Sequence, residues 1–284
     1  MANSIAYAAR YVPVLDAVYA AESKTSILDA NQDLVKESDG VGEIKIAKIS
    51  MDGLGDFSRA TGYSEGATNL AWETVKFDKE RSQTLKVDRL DNAESMDILF
   101  GRVGGEFVRT KVVPEIDAYR IAKIVGTSGI TKVTETVDAA TIVAKLRAAA
   151  VAMDNAAVPE GDRVLFITPA NLALVEDLDT NKSKAVLSRF STIQTVTPNV
   201  FKSAIELSDG TSAFGFKPAS GAVDVNFLAV DKAAIVTATR QYLKYFSPDV
   251  DQDGDNHVFK YRLGYLCQVL ENKVAGVYAS IASA

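Results

Sequence analysis

Residues 43–89 constrain this chain more than any other stretch, because they read as strands that cannot fold alone. Ile44 and Ile46 alternate with Glu43, Lys45 and Ala47, the period-two pattern of a half-buried strand. A loop follows, through Gly53-Leu54-Gly55 and Thr61-Gly62 to Gly66, and a second strand-like run, Leu70–Phe77, returns toward Leu85 and Val87. The expected element is a long two-stranded hairpin with a polar, glycine-bearing tip. Basic residues (Lys45, Lys48, Arg59, Lys76, Lys79, Arg81, Lys86, Arg89) are interleaved with acidic ones (Asp52, Asp56, Glu65, Glu73, Asp78, Glu80, Asp88) along it. So much mixed charge leaves too little apolar area for a two-stranded hairpin to be stable in water by itself. It needs a body to rest on, its own or that of another copy.

The flanks supply that body on one side only. Residues 1–42 read as an extended arm with one short amphipathic helix, in which Leu15, Val18 and Tyr19 fall at helical spacing after Pro13. Residues 91–126 read as one long helix whose stripe is Met96, Leu99, Phe100, Val103 and Phe107, continued by Val112, Val113, Ile116 and Tyr119. Gly101, Gly104, Gly105 and Pro114 weaken it, a kink is expected near Pro114, and the helix should stop near Gly126. Residues 138–245 read as an α/β lobe: a helix from Asp138 to about Ala157, a buried strand Arg163–Ile167, Thr168-Pro169 as N-cap and first position of a helix, and strands at 192–196, 224–230 and 233–239. The alternation over 257–281 reads as antiparallel strands with a turn at Glu271-Asn272-Lys273.

Composition narrows the chemistry. With one Cys, no internal disulfide framework or Cys-rich zinc module can form, and with one His, two-His metal sites are excluded. A net charge of −6 argues against a chain that grips nucleic acid by neutralising phosphates. The N-terminus lacks the basic, then continuously apolar pattern of a signal peptide, and no run is apolar enough to span a bilayer. The triplet Asn181-Lys182-Ser183 matches a glycosylation sequon by chance.

Three features invite a functional reading. Asp249, Asp251, Asp253, Gly254 and Asp255 spell the opening of an EF-hand loop, but Lys260 stands where the bidentate Glu belongs and the flanks read as strands, which favours an acidic hairpin loop. His257 opens a strand beside it, with no nucleophile motif to serve. Cys267 lies in an apolar run and reads as a small buried hydrophobe. The glycine pairs at 53–55 and 101–105 match no phosphate-cradling spacing. No catalytic, cofactor-binding or metal-binding set emerges, and no cofactor is expected.

The order of the elements, together with the strings Gly101–Arg120 (GRVGGEFVRTKVVPEIDAYR), Arg163–Pro169 (RVLFITP) and Glu271–Tyr278 (ENKVAGVY), resembles the major capsid protein of tailed bacteriophages, the Hong Kong 97-like fold. The resemblance implies an α+β fold with an N-terminal arm (1–42), a β-hairpin E-loop (43–89), a peripheral domain with a spine helix (90–154 and 241–284) and an axial α/β domain (155–240). It implies a non-enzymatic protein, made in the cytoplasm of a host bacterium, that assembles from copies of itself as hexamers and pentamers into an icosahedral shell of the virion. That shell encloses double-stranded DNA without sequence-specific binding or a membrane. Because the chain starts almost directly at the arm, a separate scaffolding protein is expected, as is a portal. An encapsulin-like shell around protein cargo is the near alternative. A carboxylate-dependent hydrolase and a calcium-dependent binding module are the alternatives of other classes.

Overall fold

In the structure, a computed structural model, residues 22–29, 35–37, 43–57, 59, 62–63, 66–90, 104–178, 180–250 and 254–283 are described. A short strand β1 (Val35–Glu37) precedes β2 (Glu43–Met51), β3 (Thr68–Lys76) and β4 (Lys79–Asp88). The central helix, described from residue 104 on, passes through a π-helical turn, Val108–Val112, and continues as α1 (Val113–Gly126). Then come β5 (Thr131–Thr134), α2 (Ile142–Asn155), β6 (Arg163–Ile167), α3 (Pro169–Glu176), α4 (Asn181–Leu187) and β7 (Thr192–Thr195). The chain ends with β8 (Ile205–Leu207), β9 (Phe216–Pro218), β10 (Val225–Asp231), β11 (Ile235–Phe246), β12 (Asn256–Val269) and β13 (Val277–Ile281).

Two sheets form the body. One has the order β5-β13-β10-β6-β7, with β10 antiparallel to both neighbours and the outer pairs parallel. All five residues of β6 are buried, as a strand covered on both faces must be. Leu165, Ile167, Phe227 and Ala229 face α2, which contributes Ile142, Leu146, Ala149 and Met153. Val164, Phe166, Leu228 and Val230 face a larger core shared with α1. The other sheet has the order β11-β12-β4. Odd-numbered residues of β12, Phe259 to Val269, join α1 in that core. Near its far end the opposite face is covered by the root of the hairpin, where Ile44 and Ile46 pack on Val236, Ala238 and Leu266.

Local signals behave as the residue types dictate. Thr168 Oγ1 accepts from Asn171 N at 3.3 Å, with Pro169 at the first helical position. Thr180 and Ser183 form a reciprocal capping box on α4. Ser183, third residue of the formal sequon, is thus a buried cap. The π turn directly precedes Pro114, whose ring clashes with a regular turn and whose nitrogen donates nothing, so a wider turn there relieves the backbone. Residues 91–103 of the expected long helix lie outside the described residues.

Two expectations differ from the structure. Strand β4, expected within the 43–89 hairpin, pairs instead with β12, from Asn256↔Asp88 to Tyr265↔Lys79. Period-two alternation specifies which face a strand buries, not which strand it joins. The β12 and β13 strands, expected to pair about a turn at 271–273, enter different sheets across a 3₁₀ segment, Glu271–Gly276. Helix α2 and strands β5 and β13, outside the 155–240 range, belong with the five-stranded sheet.

A buried charge network ties α2 to β6. Arg163, 1% exposed, donates to Asp154 at 2.8 Å and to the Val158 carbonyl, and Arg189 also reaches Asp154. The Arg163 hydrogen bond, helped by the charges of Arg189 and Arg163, holds the Asp154 carboxyl below the usual carboxylate range. A depressed folded-state pKa stabilises the fold above the unfolded value, about 3.9, and that contribution disappears as pH falls through the folded value. Denaturant midpoints measured from pH 6 downward should therefore fall less steeply below about pH 4 in Asp154→Asn than in the parent chain.

Candidate assembly surface

Helix α1 carries polar side chains that fasten two other parts of the chain to it. Asp117, buried, accepts from Lys24 N at 2.9 Å, Thr25 N at 3.2 Å, and the Ser23 and Thr25 hydroxyls at 2.6 Å each. One turn on, Arg120, also buried, donates to the Thr25 carbonyl at 3.2 Å and pairs with Asp29 at 2.8 Å. Asp29 in turn accepts from Thr237 on β11. The segment Ser23–Asp29 is therefore clasped by charge-assisted hydrogen bonds, with Leu28 as its apolar plug.

The same helix fixes the junction between hairpin and body. Asp78, in the turn from β3 to β4, accepts from the Tyr119 hydroxyl and pairs with Lys123 at 2.9 Å. Burial, then the Asp78 carboxylate, push the Tyr119 hydroxyl far above its ordinary pKa, so it stays a donor. Glu115 takes Arg81 of β4 at 2.8 and 3.3 Å, and Arg81 also donates to the Ser208 and Gly215 carbonyls of the β8–β9 loop. A cleft of about 630 Å³ opens beside this pair, lined by Phe107, Leu85, Tyr261, Leu263, Phe214 and Phe216 among others.

Beyond its root the hairpin leaves the body. Thr68 to Trp72 are exposed in succession, so both faces of β3 meet solvent there. Met51, Leu54, Phe57, Tyr63, Leu70 and Trp72 are all exposed, Tyr63 to 90% and Leu54 fully. Phe57 and Tyr63 stack edge to face with centroids 5.2 Å apart. The sequence suggested a charged arm; the exposed aromatic tip is the part it did not reveal, because a Gly- and Ser-rich loop hides which apolar residues find no core. A concentration of large apolar side chains in water marks an interaction surface.

The residues singled out by sequence do not converge on a chemical centre. Asp249 and Asp255 both accept from Arg89, at 3.2 and 3.4 Å, while Asp251 and Asp253 lie outside the described residues. Among the described residues no group of three or more His, Cys, Asp or Glu could hold a metal ion. His257 Nδ1 and Tyr245 Oη share a hydrogen bond of 2.7 Å. Cys267 is fully buried in the α1 core, and burial pushes its thiol up to about 12. Native protein at pH 8 should resist a thiol reagent, with labelling proceeding at the rate of global unfolding; fast native labelling would contradict the packing. No described helix is long and apolar enough to cross a membrane.

No family model and no curated protein matches this sequence. Solved structures do match over most of their length. The capsid of Staphylococcus phage Andhra aligns with a TM-score of 0.57 at 11% identity, covering 90% of this chain and 84% of that one. The capsid of cyanophage P-SCSP1u aligns at 0.56 and 17% identity, covering 87% and 85%. A virus-like particle from Pyrococcus furiosus aligns at 0.55 and 12% identity, covering 96% and 99%. At such identities the likeness is one of architecture: the chain has the fold of tailed-bacteriophage major capsid proteins.

Proposed function

We propose that this chain is a phage major capsid protein, which self-assembles as hexamers and pentamers into an icosahedral shell around double-stranded DNA. The observation that carries the reading is the hairpin: its root is built into the body while its apolar tip stays in solvent, an arrangement that a neighbouring copy completes. In this reading 1–42 is the N-terminal arm, 43–89 holds the E-loop, 91–126 is the spine helix of a peripheral domain (90–154 and 241–284), and 155–240 is the axial domain. In this reading the pairing of β4 with β12 supports ending the E-loop near Asp78, and the sheet membership of β5 and β13, with α2 packed on it, supports counting them with the axial unit. The role is architectural rather than catalytic, in a virion made in a host bacterium, with a separate scaffolding protein and a portal as partners. Electron microscopy of the purified chain, alone and co-expressed with its scaffold, should show closed shells. A strictly monomeric chain in every condition would overturn the reading.

The fold likeness, which extends to a virus-like particle from Pyrococcus furiosus, is shared by a second reading, an encapsulin-like shell around protein cargo. Purified particles separate the two: nuclease-protected DNA supports the first, and a stoichiometric protein cargo the second.

A further inference from the structure

The β11-β12-β4 sheet has one face against α1, and on the other, beyond the hairpin root, Tyr242, Lys244, Lys260, Arg262 and the even-numbered residues of β4 are exposed, while Val258 is buried. Across the ladder Lys244 stands directly opposite Lys260, Tyr242 opposite Arg262, and Val258 opposite Lys86. Lys244, Lys260, Arg262 and Lys86 are exposed, with Glu80, ion-paired to Arg262, and Asp88, at the loop end, as the carboxylates of that face. Like charges facing each other directly across a ladder destabilise a sheet. Two of these cations are also held in place: the Lys260 ammonium sits 5.2 Å from the Phe246 ring centre, and the Arg262 guanidinium 5.6 Å from that of Tyr242. A fixed row of cations in a chain of net charge −6 is charge segregation, and it calls for an anionic partner.

The same sheet supplies the complement at its loop end. Asp88, Asp249 and Asp255 are exposed there, Asp249 and Asp255 sharing Arg89. Asp249 and Asp255 lie beyond the end of the ladder and not on the Lys244–Lys260 rungs, so the carboxylates of one copy can meet the cations of the next in a heterologous contact, which repeats around a ring. We propose that this basic face docks a second copy of the chain through the acidic loop end of that copy's sheet. The proposal rests on the shell reading and adds to it an electrostatic contact away from the hairpin.

The test is a charge swap, read by sedimentation velocity and light scattering across salt concentrations. Lys244→Glu with Lys260→Glu should raise the protein concentration needed for assembly about ten-fold and flatten its salt dependence, while the unassembled chain melts no lower than wild type. Asp249→Lys alone should weaken assembly in the same way, and combining it with the lysine reversals should restore it. Undiminished assembly of the lysine variant, or no restoration in the combination, overturns the contact. Duplex DNA retained by the wild type, lost with the lysines and independent of assembly, would assign the face to nucleic acid and overturn it too. A wild-type chain that never assembles overturns the shell reading and this contact with it, whereas an assembling wild type matched by its variants overturns the contact alone.

Discussion

Asp117→Ala should cost the folded chain about 3–5 kcal/mol, the largest single-residue loss expected outside the apolar core, and roughly 10 °C in melting temperature. The carboxylate is buried and accepts two backbone N–H groups and two hydroxyls from Ser23, Lys24 and Thr25. Truncation leaves those donors without their acceptor, which is costlier than never having built the bonds. Arg120 then stays buried next to a segment whose other anchor has gone. Asp117→Asn keeps the shape and a neutral acceptor, and should lose about half as much. Hydrogen exchange locates the effect: the Lys24 and Thr25 amides should exchange much faster in Asp117→Asn, while those of β6 and β10 keep their protection. Equal protection of Lys24 and Thr25 in both proteins would mean that the clasp does not hold the segment.

That clasp was invisible in the sequence for a physical reason. The apolar stripe on the helix, Val112, Val113, Ile116 and Tyr119, was legible from its spacing, and all four residues are buried. Asp117 is turned about 100° round the helix from Ile116, where such a pattern predicts a solvated face, and Arg120, one turn after Ile116, puts on the stripe a charge that the pattern does not expect to be buried. They are buried because Ser23, Thr25 and Asp29, some 90 residues earlier, cover that side of the helix, and local periodicity carries no information about a segment so distant. The same limit explains β11. The apolar opening Ile235–Ala238 was readable, but Arg240–Phe246 mixes charge and aromatic rings on alternate residues, and only pairing with β12 along its whole length makes it a strand. Within single elements, the caps of α3, the buried β6 and the end of α1 at Gly126 were legible, since each depends on residues a turn away. The hairpin was legible as something that cannot stand alone; which strands make it was not, because β3 and β4 alternate equally well and only the body decides which of them it keeps.

Replacing the hairpin's tip residues together, Leu54→Ser, Phe57→Ser and Tyr63→Ser, should abolish assembly and leave the unassembled chain as stable as its parent. All three side chains are exposed, so the free chain forfeits little beyond the Phe57–Tyr63 edge contact, within about 1 kcal/mol. An interface that buries them loses about 1.5–3 kcal/mol for each, and every 1.4 kcal/mol is a factor of ten in affinity. If the chain builds the proposed shell, each copy makes the contact and the loss recurs at every subunit. The root gives the contrasting control. Ile46→Asp places a charge where Ile46 is 1% exposed, against Val236, Ala238 and Leu266, and should lower the melting temperature of the unassembled chain as well as block assembly. Sedimentation velocity, negative-stain imaging and thermal melts on the three proteins separate the two outcomes. A triple variant that builds shells at the wild-type concentration would show that the exposed tip is not the contact, whereas one that melts well below its parent would show that the tip already packs on its own body.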